Sequence, residues 1–282
     1  MVGIDNSKLM ILSFSVLTNG RLGIKSYGSF CRGIPGKKRG VIERLPLCDI
    51  YGNIMKYEHT IKGKHIDRPN RFIAHVQIGD EVHTVHVKNT GRCKELLLPD
   101  SEVILEDCLS DSRKTRYDLI AVRKENLGWV NIDSQAPNKV VKEWLEKDNE
   151  VFGHLDMIKP EYSYGDSRVD FYLEKDDRQI LMEVKGCTLE NDGEGFFPDA
   201  PTERGVKHLN ELAAAVSKGY DCYIAFVIAM NGIEVVHPNA ATHPEFGEAL
   251  QRAVTAGVKI LYLCCNVKPD ELIIEKAIEG RM

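Results

Sequence analysis

The chain has 282 residues, 43% of them hydrophobic and 28% charged, with a formal net charge of −5. That length accommodates two domains with separate cores, and that balance excludes a disordered chain. The longest early apolar run, residues 9–17, is broken by Ser13 and Ser15. It falls short of the ~20 residues that span a bilayer, and no small-residue cleavage pattern follows it, so the expected setting is the cytoplasm with no membrane partner.

Charge is unevenly spread. Residues 1–47 carry eight Lys/Arg against two acids, residues 55–131 thirteen against twelve, and residues 132–282 sixteen against twenty-seven. A nucleic-acid partner would therefore need a local basic face, because the whole-molecule field repels phosphate. Residues 1–54 are rich in Gly and basic side chains, as in Gly33-Ile34-Pro35-Gly36-Lys37-Lys38-Arg39-Gly40, with little periodicity. They read as a poorly ordered or non-native upstream extension, with Met55 the expected real start; the other reading is a basic arm that touches nucleic acid. None of the eight cysteines forms Cys-x-x-Cys, which favours buried small hydrophobes over zinc ligands.

From Lys56 the pattern becomes one of short strands. Residues 72–78 alternate, Gly79-Asp80 turns, and residues 81–87 alternate again. Strands over 102–105, 116–122 and 129–132 bring the number to about five, which suits a small barrel of the oligonucleotide-binding (OB) type over residues 55–131. His83 and His86 point to opposite faces of one strand, so with His75 they read as ordinary surface histidines.

Residues 132–282 alternate helices and strands. Asn138 is placed to cap a helix running to Asp148. A hairpin follows, then a loop with Gly193, Gly195 and Pro198. Thr202 opens a helix with the stripe Val206, Leu209, Leu212, Ala213 and Val216, ended by Lys218-Gly219. Arg204, Lys207, His208 and Glu211 fall largely off that stripe. Residues 224–228 and 258–263 read as buried strands, separated by a helix between Pro244 and Gly257. There is no Gly-rich phosphate loop.

The hairpin offers the best-defined chemistry. In Ser167-Arg168-Val169-Asp170-Phe171 and Leu181-Met182-Glu183-Val184-Lys185, alternation groups Val169, Phe171 and Leu173 with Ile180, Met182 and Val184 as an apolar wall. Arg168, Asp170, Glu183 and Lys185 share the other face. Two acids and a lysine on one face suit a divalent metal beside a phosphate.

Helix, hairpin with Asp then Glu-x-Lys, helix and strand is the order of the PD-(D/E)xK nuclease core. Phe197-Pro198-Asp199-Ala200-Pro201-Thr202-Glu203-Arg204-Gly205-Val206-Lys207-His208-Leu209 resembles the central motif of the sugar fermentation stimulation protein A (SfsA) family. So do Ser167-Arg168-Val169-Asp170-Phe171, Glu183-Val184-Lys185, Asn89-Thr90-Gly91 and Pro137-Asn138. The resemblance runs from about Arg71 to the C-terminus. Val87-Lys88, Arg92-Cys93, Cys187 and Pro201 depart from common family choices.

The resemblance implies an N-terminal OB-like barrel followed by a restriction-endonuclease-like α/β domain with a mixed sheet, and sequence-independent DNA binding. It also implies a link to regulation of sugar, maltose in particular. The accompanying mechanism is a Mg²⁺ or Mn²⁺ site at Asp170 and Glu183, with a backbone carbonyl near Val184 as a further ligand and Lys185 stabilising charge on a phosphate. Glu161 or Glu143 would be outer ligands. Arg168, Arg204, Lys207 and His208 are candidate phosphate contacts, or else cap and pair around the Thr202 helix. On the barrel, Arg71, Asn89, Thr90 and Arg92 are candidate strand contacts, although Asn-Thr-Gly equally suits a tight turn. Two functions compete: a DNA-binding protein without essential catalysis, and a metal-dependent nuclease acting on DNA or RNA.

Overall fold

Alternating side chains over residues 72–87 do build a hairpin, in a computed structural model that describes residues 55–281 apart from Thr90, Asp111 and Asp166. The basic segment 1–54 lies outside the described residues. In chain order, β1 (Met55–Lys56) precedes β2 (Thr60–Asn70), β3 (Ile73–Ile78), β4 (Glu81–Val87), β5 (Glu102–Asp107), β6 (Tyr117–Lys124) and β7 (Gly128–Asn131). Antiparallel pairs join β2 to β3 and β5, β3 to β4, and β5 to β6. The ring closes where β4 runs parallel to β6 at His86↔Asp118 and Val87↔Leu119. This is the five-stranded order of an OB barrel. Val76, Val85, Val103, Leu105 and Leu119 fill it, with no exposed surface.

The ring differs from the sequence expectation at both ends. Its opening strand β2 is missing from the expected set, because Lys62, Lys64, Asp67 and Pro69 interrupt any hydrophobic alternation. Gly63 is needed there: a Cβ would lie 2.5 Å from Val76 Cγ1 and 2.9 Å from the Gln77 carbonyl oxygen. Conversely, β7 lies outside the closed ring, antiparallel to β6.

The second half continues with α1 (Ala136–Leu145), β8 (Met157–Tyr164), β9 (Ser167–Lys175), β10 (Arg178–Cys187), β11 (Leu189–Asn191), β12 (Glu194–Phe197) and α2 (Glu203–Val216). It ends with β13 (Asp221–Ile228), β14 (Val236–Pro238), α3 (Pro244–Ala256), β15 (Lys259–Lys268) and β16 (Glu271–Gly280). The main sheet has the order β1-β16-β15-β13-β10-β9-β8. Its centre, β10-β13-β15, is parallel and covered on both faces, which explains why β13 reads as an unbroken apolar run. Val140, Val141 and Leu145 of α1 cluster with Phe171, Leu173, Met182 and Val184. Leu209 and Leu212 of α2, with Phe246 and Leu250 of α3, join the cluster of Leu181, Ile224 and Phe226.

Local chemistry sets the helix ends. Thr202 Oγ1 accepts from the Gly205 N–H at 3.1 Å, and Gly257 ends α3 in the left-handed region at φ 109°. The helix expected to start at Asn138 starts at Ala136 with Gln135 as N-cap, so Asn138 sits in the first turn and its amide is directed elsewhere. The expected loop around Gly193 and Pro198 is a small sheet of β11, β12 and β14. Strand β8 at one edge and β16, next to the two-residue β1 at the other, are absent from the expected set; both are half-exposed and carry little apolar periodicity. Asn131 N–H donates to the Ala229 carbonyl at 3.0 Å, tying barrel to sheet.

Phe171, 1% exposed, anchors the α1 side of the core. Phe171→Ala is expected to cost about 3–5 kcal/mol, read in urea denaturation as a lowered midpoint at unchanged slope.

Candidate metal centre and nucleic-acid surface

The β9–β10 ladder ends at Phe171↔Met182. Two residues further the backbone no longer pairs with β9: the Val184 N–H donates to Asp170 Oδ2 at 2.7 Å, so a side chain replaces the missing ladder partner. Asp170 Oδ1 accepts from Asn138 Nδ2 at 2.9 Å, which is the work of the residue expected as a helix cap. The alternation of the hairpin changes at this opening. Val169, expected beside Phe171, instead belongs to the cluster containing Tyr172 and Leu181 on the α2 side. The polar face is therefore no open surface: α2 covers it, and the acids sit at the margin of a core.

Glu183 is 2% exposed. Its Oε1 accepts from Lys185 Nζ at 2.6 Å and from His208 Nδ1. His208 Nε2 in turn accepts from Arg204 Nε at 3.3 Å, which leaves the ring proton on Nδ1, aimed at the carboxylate. Arg204 and His208 lie one turn apart on α2, and the Thr202 cap sets where that turn begins. Glu183 Oε2 is buried with no hydrogen-bond partner among the described residues.

The two acids are pushed in opposite directions. Burial, reinforced by the Glu183 charge, raises the Asp170 pKa above the usual carboxylate range. Burial also acts to raise Glu183, but hydrogen bonds from His208 and Lys185 and the Lys185 charge outweigh it and hold Glu183 below its ordinary value. Neighbouring carboxylates, one with an unfilled oxygen and one disfavoured as a bare anion, match a hard divalent cation, which takes oxygen ligands and offsets both charges.

The remaining expected residues divide. His208, expected on phosphate, is buried against Glu183, because the α2 face carrying it packs on the sheet. Arg168 pairs with exposed Glu161 at 2.8 Å, and Lys207 with Glu211 at 3.6 Å one helical turn on. Glu143 accepts from the Met55 backbone N–H at 2.6 Å. Neither Glu161 nor Glu143 is thus engaged at Asp170 and Glu183.

On the barrel, Arg71 and Arg92 are exposed, and Asn89 makes a tight turn by accepting from the Gly91 N–H at 2.7 Å. Thr90 lies outside the described residues. Arg68, which the sequence reading passed over, holds this region: its guanidinium donates to the carbonyls of Asn89, Gly91, Arg92 and Arg71 at 2.7–3.0 Å. Gly91 packs against the segment before α2, where a Cβ would lie 2.3 Å from Asp199 Oδ2. A second group, Glu106, Cys108 and Asp118, brings ligand atoms within 4.8 Å of one another. Cations already occupy it: Lys88 lies 3.4 Å from Asp118 Oδ2, and Arg113 also pairs with Asp118.

Barrel, mixed sheet and helices define a two-part protein of OB domain plus restriction-endonuclease-like α/β domain. Comparison with known proteins places it further. Residues 66–132 match the model of the SfsA N-terminal OB domain, and residues 135–271 that of the sugar fermentation stimulation protein RE domain. The chain belongs to the SfsA family. It is 51% identical over 231 residues to a sugar fermentation stimulation protein homolog of Desulfitobacterium hafniense, covering 80% of this chain and 100% of the relative. A homolog of the same description from Ruminiclostridium cellulolyticum is 49% identical over 228 residues, 81% of this chain and 100% of that one. The fold matches the structure of Pyrococcus furiosus SfsA in complex with Ca²⁺, with a TM-score of 0.73 and 25% identity over 81% of this chain and 99% of that one.

A raised carboxylate opposes folding at neutral pH, an effect that fades as pH falls through its folded-state pKa. Without divalent cation, Asp170→Asn is therefore expected to raise the thermal midpoint at pH 7 by about 2–4 °C. The gain should shrink at acid pH, where the wild-type carboxyl is protonated; calorimetry in EDTA across pH checks both.

Proposed function

We propose that the protein binds DNA without sequence preference and carries a divalent-cation site at Asp170 and Glu183. The observation that carries the metal reading is Glu183 Oε2, a buried acceptor without a partner, next to a second carboxylate. A buried oxygen of this kind is costly unless a ligand meets it. Mg²⁺ or Mn²⁺ suits such donors, and the Pyrococcus furiosus relative crystallised with Ca²⁺ is in keeping with the preference for a hard ion. Asp170 and Glu183 would hold the cation, which would neutralise phosphate charge and activate water.

The surrounding residues have separate duties. Asn138 and the Val184 N–H fix the Asp170 carboxylate. His208, oriented by Arg204, shares Glu183 Oε1 with Lys185 and leaves Oε2 open. The OB barrel supplies the nucleic-acid surface, DNA first and RNA as a second candidate. The relatives' name supports a role in sugar utilisation, and control of maltose metabolism is the specific form proposed.

A metal-dependent nuclease is the second reading, favoured by the position of Lys185 Nζ, 2.6 Å from Glu183 Oε1, where it can stabilise charge on a phosphate beside the acids. Titration calorimetry with Mg²⁺, Mn²⁺ and Ca²⁺ tests the site itself. Asp170→Asn and Glu183→Gln are expected to abolish binding, and His208→Ala to weaken it about 10–100-fold. Unchanged affinity in the two carboxylate variants would remove the metal centre. Labelled DNA then separates the readings. Retardation that falls with salt, without cleavage, supports the binder. Metal-dependent cleavage lost in both carboxylate variants supports the nuclease.

A further inference from the structure

A cavity of about 620 Å³ opens on the barrel between the end of β2, the loop after β4 and the segment leading into α2. That volume is in the range of small-ligand sites. Its lining separates into an apolar part, with Ile66, Leu97, Pro99 and Pro201, and a cationic part, with Arg68, Arg71, Arg92 and Lys94. Among the described lining residues the sole carboxylate, Asp67, is engaged by His75 Nδ1 at 2.7 Å. So strong a local excess of positive charge stands out in a chain of net charge −5.

The walls are built. Arg68 donates to four backbone carbonyls around the rim, at Asn89, Gly91, Arg92 and Arg71, and so sets the loops before any ligand arrives. His65, 2% exposed, also lines the cavity. Its Nδ1 lies 3.0 Å from the Leu98 carbonyl oxygen, which can only accept, so the proton is on Nδ1 and Nε2 carries a lone pair. Nε2 is buried and has no partner among the described residues. Beside the opening, Phe72 is 45% exposed, with the Arg71 guanidinium carbon 4.7 Å from its ring centroid.

We infer that this cavity seats one nucleotide, its base against the apolar wall and its phosphate on Arg71, Arg92 and Lys94. An apolar slot accepts a flat heterocycle, a cationic rim accepts a phosphate, and the exposed aromatic offers a stacking face to the next base. The apolar wall reads no base edge, so the site discriminates little among bases. The inference deepens the nucleic-acid reading of the barrel, yet rests on residues separate from Asp170 and Glu183. A duplex keeps its bases stacked and paired, so a single strand or a free nucleotide is the form that fits.

The test uses the full chain at low salt in EDTA, with a short fluorescein-labelled oligothymidylate read by anisotropy. Ile66→Trp on β2 and Pro201→Trp before α2 plug the cavity without changing charge, and are expected to weaken binding at least tenfold. Arg252→Ser, at an exposed position of α3 outside the cavity lining, should bind as wild type. Competition by thymidine monophosphate and by a duplex of the same sequence separates the sources. A mononucleotide that competes as well as the strand assigns the cavity to free nucleotides, and one that competes weakly assigns it to a unit of a chain. If the plugs unfold the barrel, the exposed-rim double variant Arg71→Ser/Arg92→Ser carries the test. Wild-type affinity in folded plug variants or in the rim variant, or no binding of the oligothymidylate by the wild type, overturns the inference. Loss of metal binding alone would leave it standing.

Discussion

A carboxylate buried at 2% exposure has to be compensated, and much of this protein's central architecture is the compensation of Glu183. Taking an ionised side chain out of water costs several kcal/mol unless charge and hydrogen bonds replace the solvent. Lys185 supplies the charge from the same strand, and His208 supplies a proton from a helix across the sheet face. Both converge on Oε1. One oxygen is therefore overserved and the other left without a partner, an asymmetry that an apolar substitution at this position would remove and that only a ligand would complete.

The opening of the hairpin belongs to the same arrangement. Were the β9–β10 ladder to continue past Phe171↔Met182, the Val184 N–H would be committed to backbone and Asp170 would lose the donor that orients it. Instead β10 leaves β9 while keeping β13, with which it pairs in parallel through Cys187↔Ile228. The strand end thus gains a side-chain ligand on one edge without losing support on the other. Such departures from regular pairing mark functional sites more often than defects.

The short segment before α2 links barrel and sheet. Asp199 packs against Gly91, Ala200 and Pro201 line the barrel cavity, Thr202 caps the helix, and one turn on Arg204 and His208 reach toward Glu183. Within ten residues the chain passes from the edge of a cationic cavity to the back of an acidic pair.

Elements with strong local signals were legible in the sequence: the β3–β4 hairpin with its Gly79-Asp80 turn, α2 from its Thr202 cap, α3 between Pro244 and Gly257, and the buried run of β13. Strands β2, β8 and β16 were not: the inward positions of β2 include Gly63 and His65, and β8 and β16 are half-exposed with little apolar periodicity, so partners rather than periodicity define them. Sequence by itself determined the residue types of the candidate centre, an acid followed by Glu-x-Lys on adjacent strands, because a two-residue spacing puts Glu183 and Lys185 on one face whatever surrounds them. Only the tertiary structure decided that His208 is a buried partner and not a phosphate contact, that Asn138 holds Asp170 and not its own helix, and that Arg68 organises the rim of a cavity. Those roles join residues 21 to 32 positions apart, and nothing local in a chain specifies which distant atom a polar side chain will meet once the core has closed.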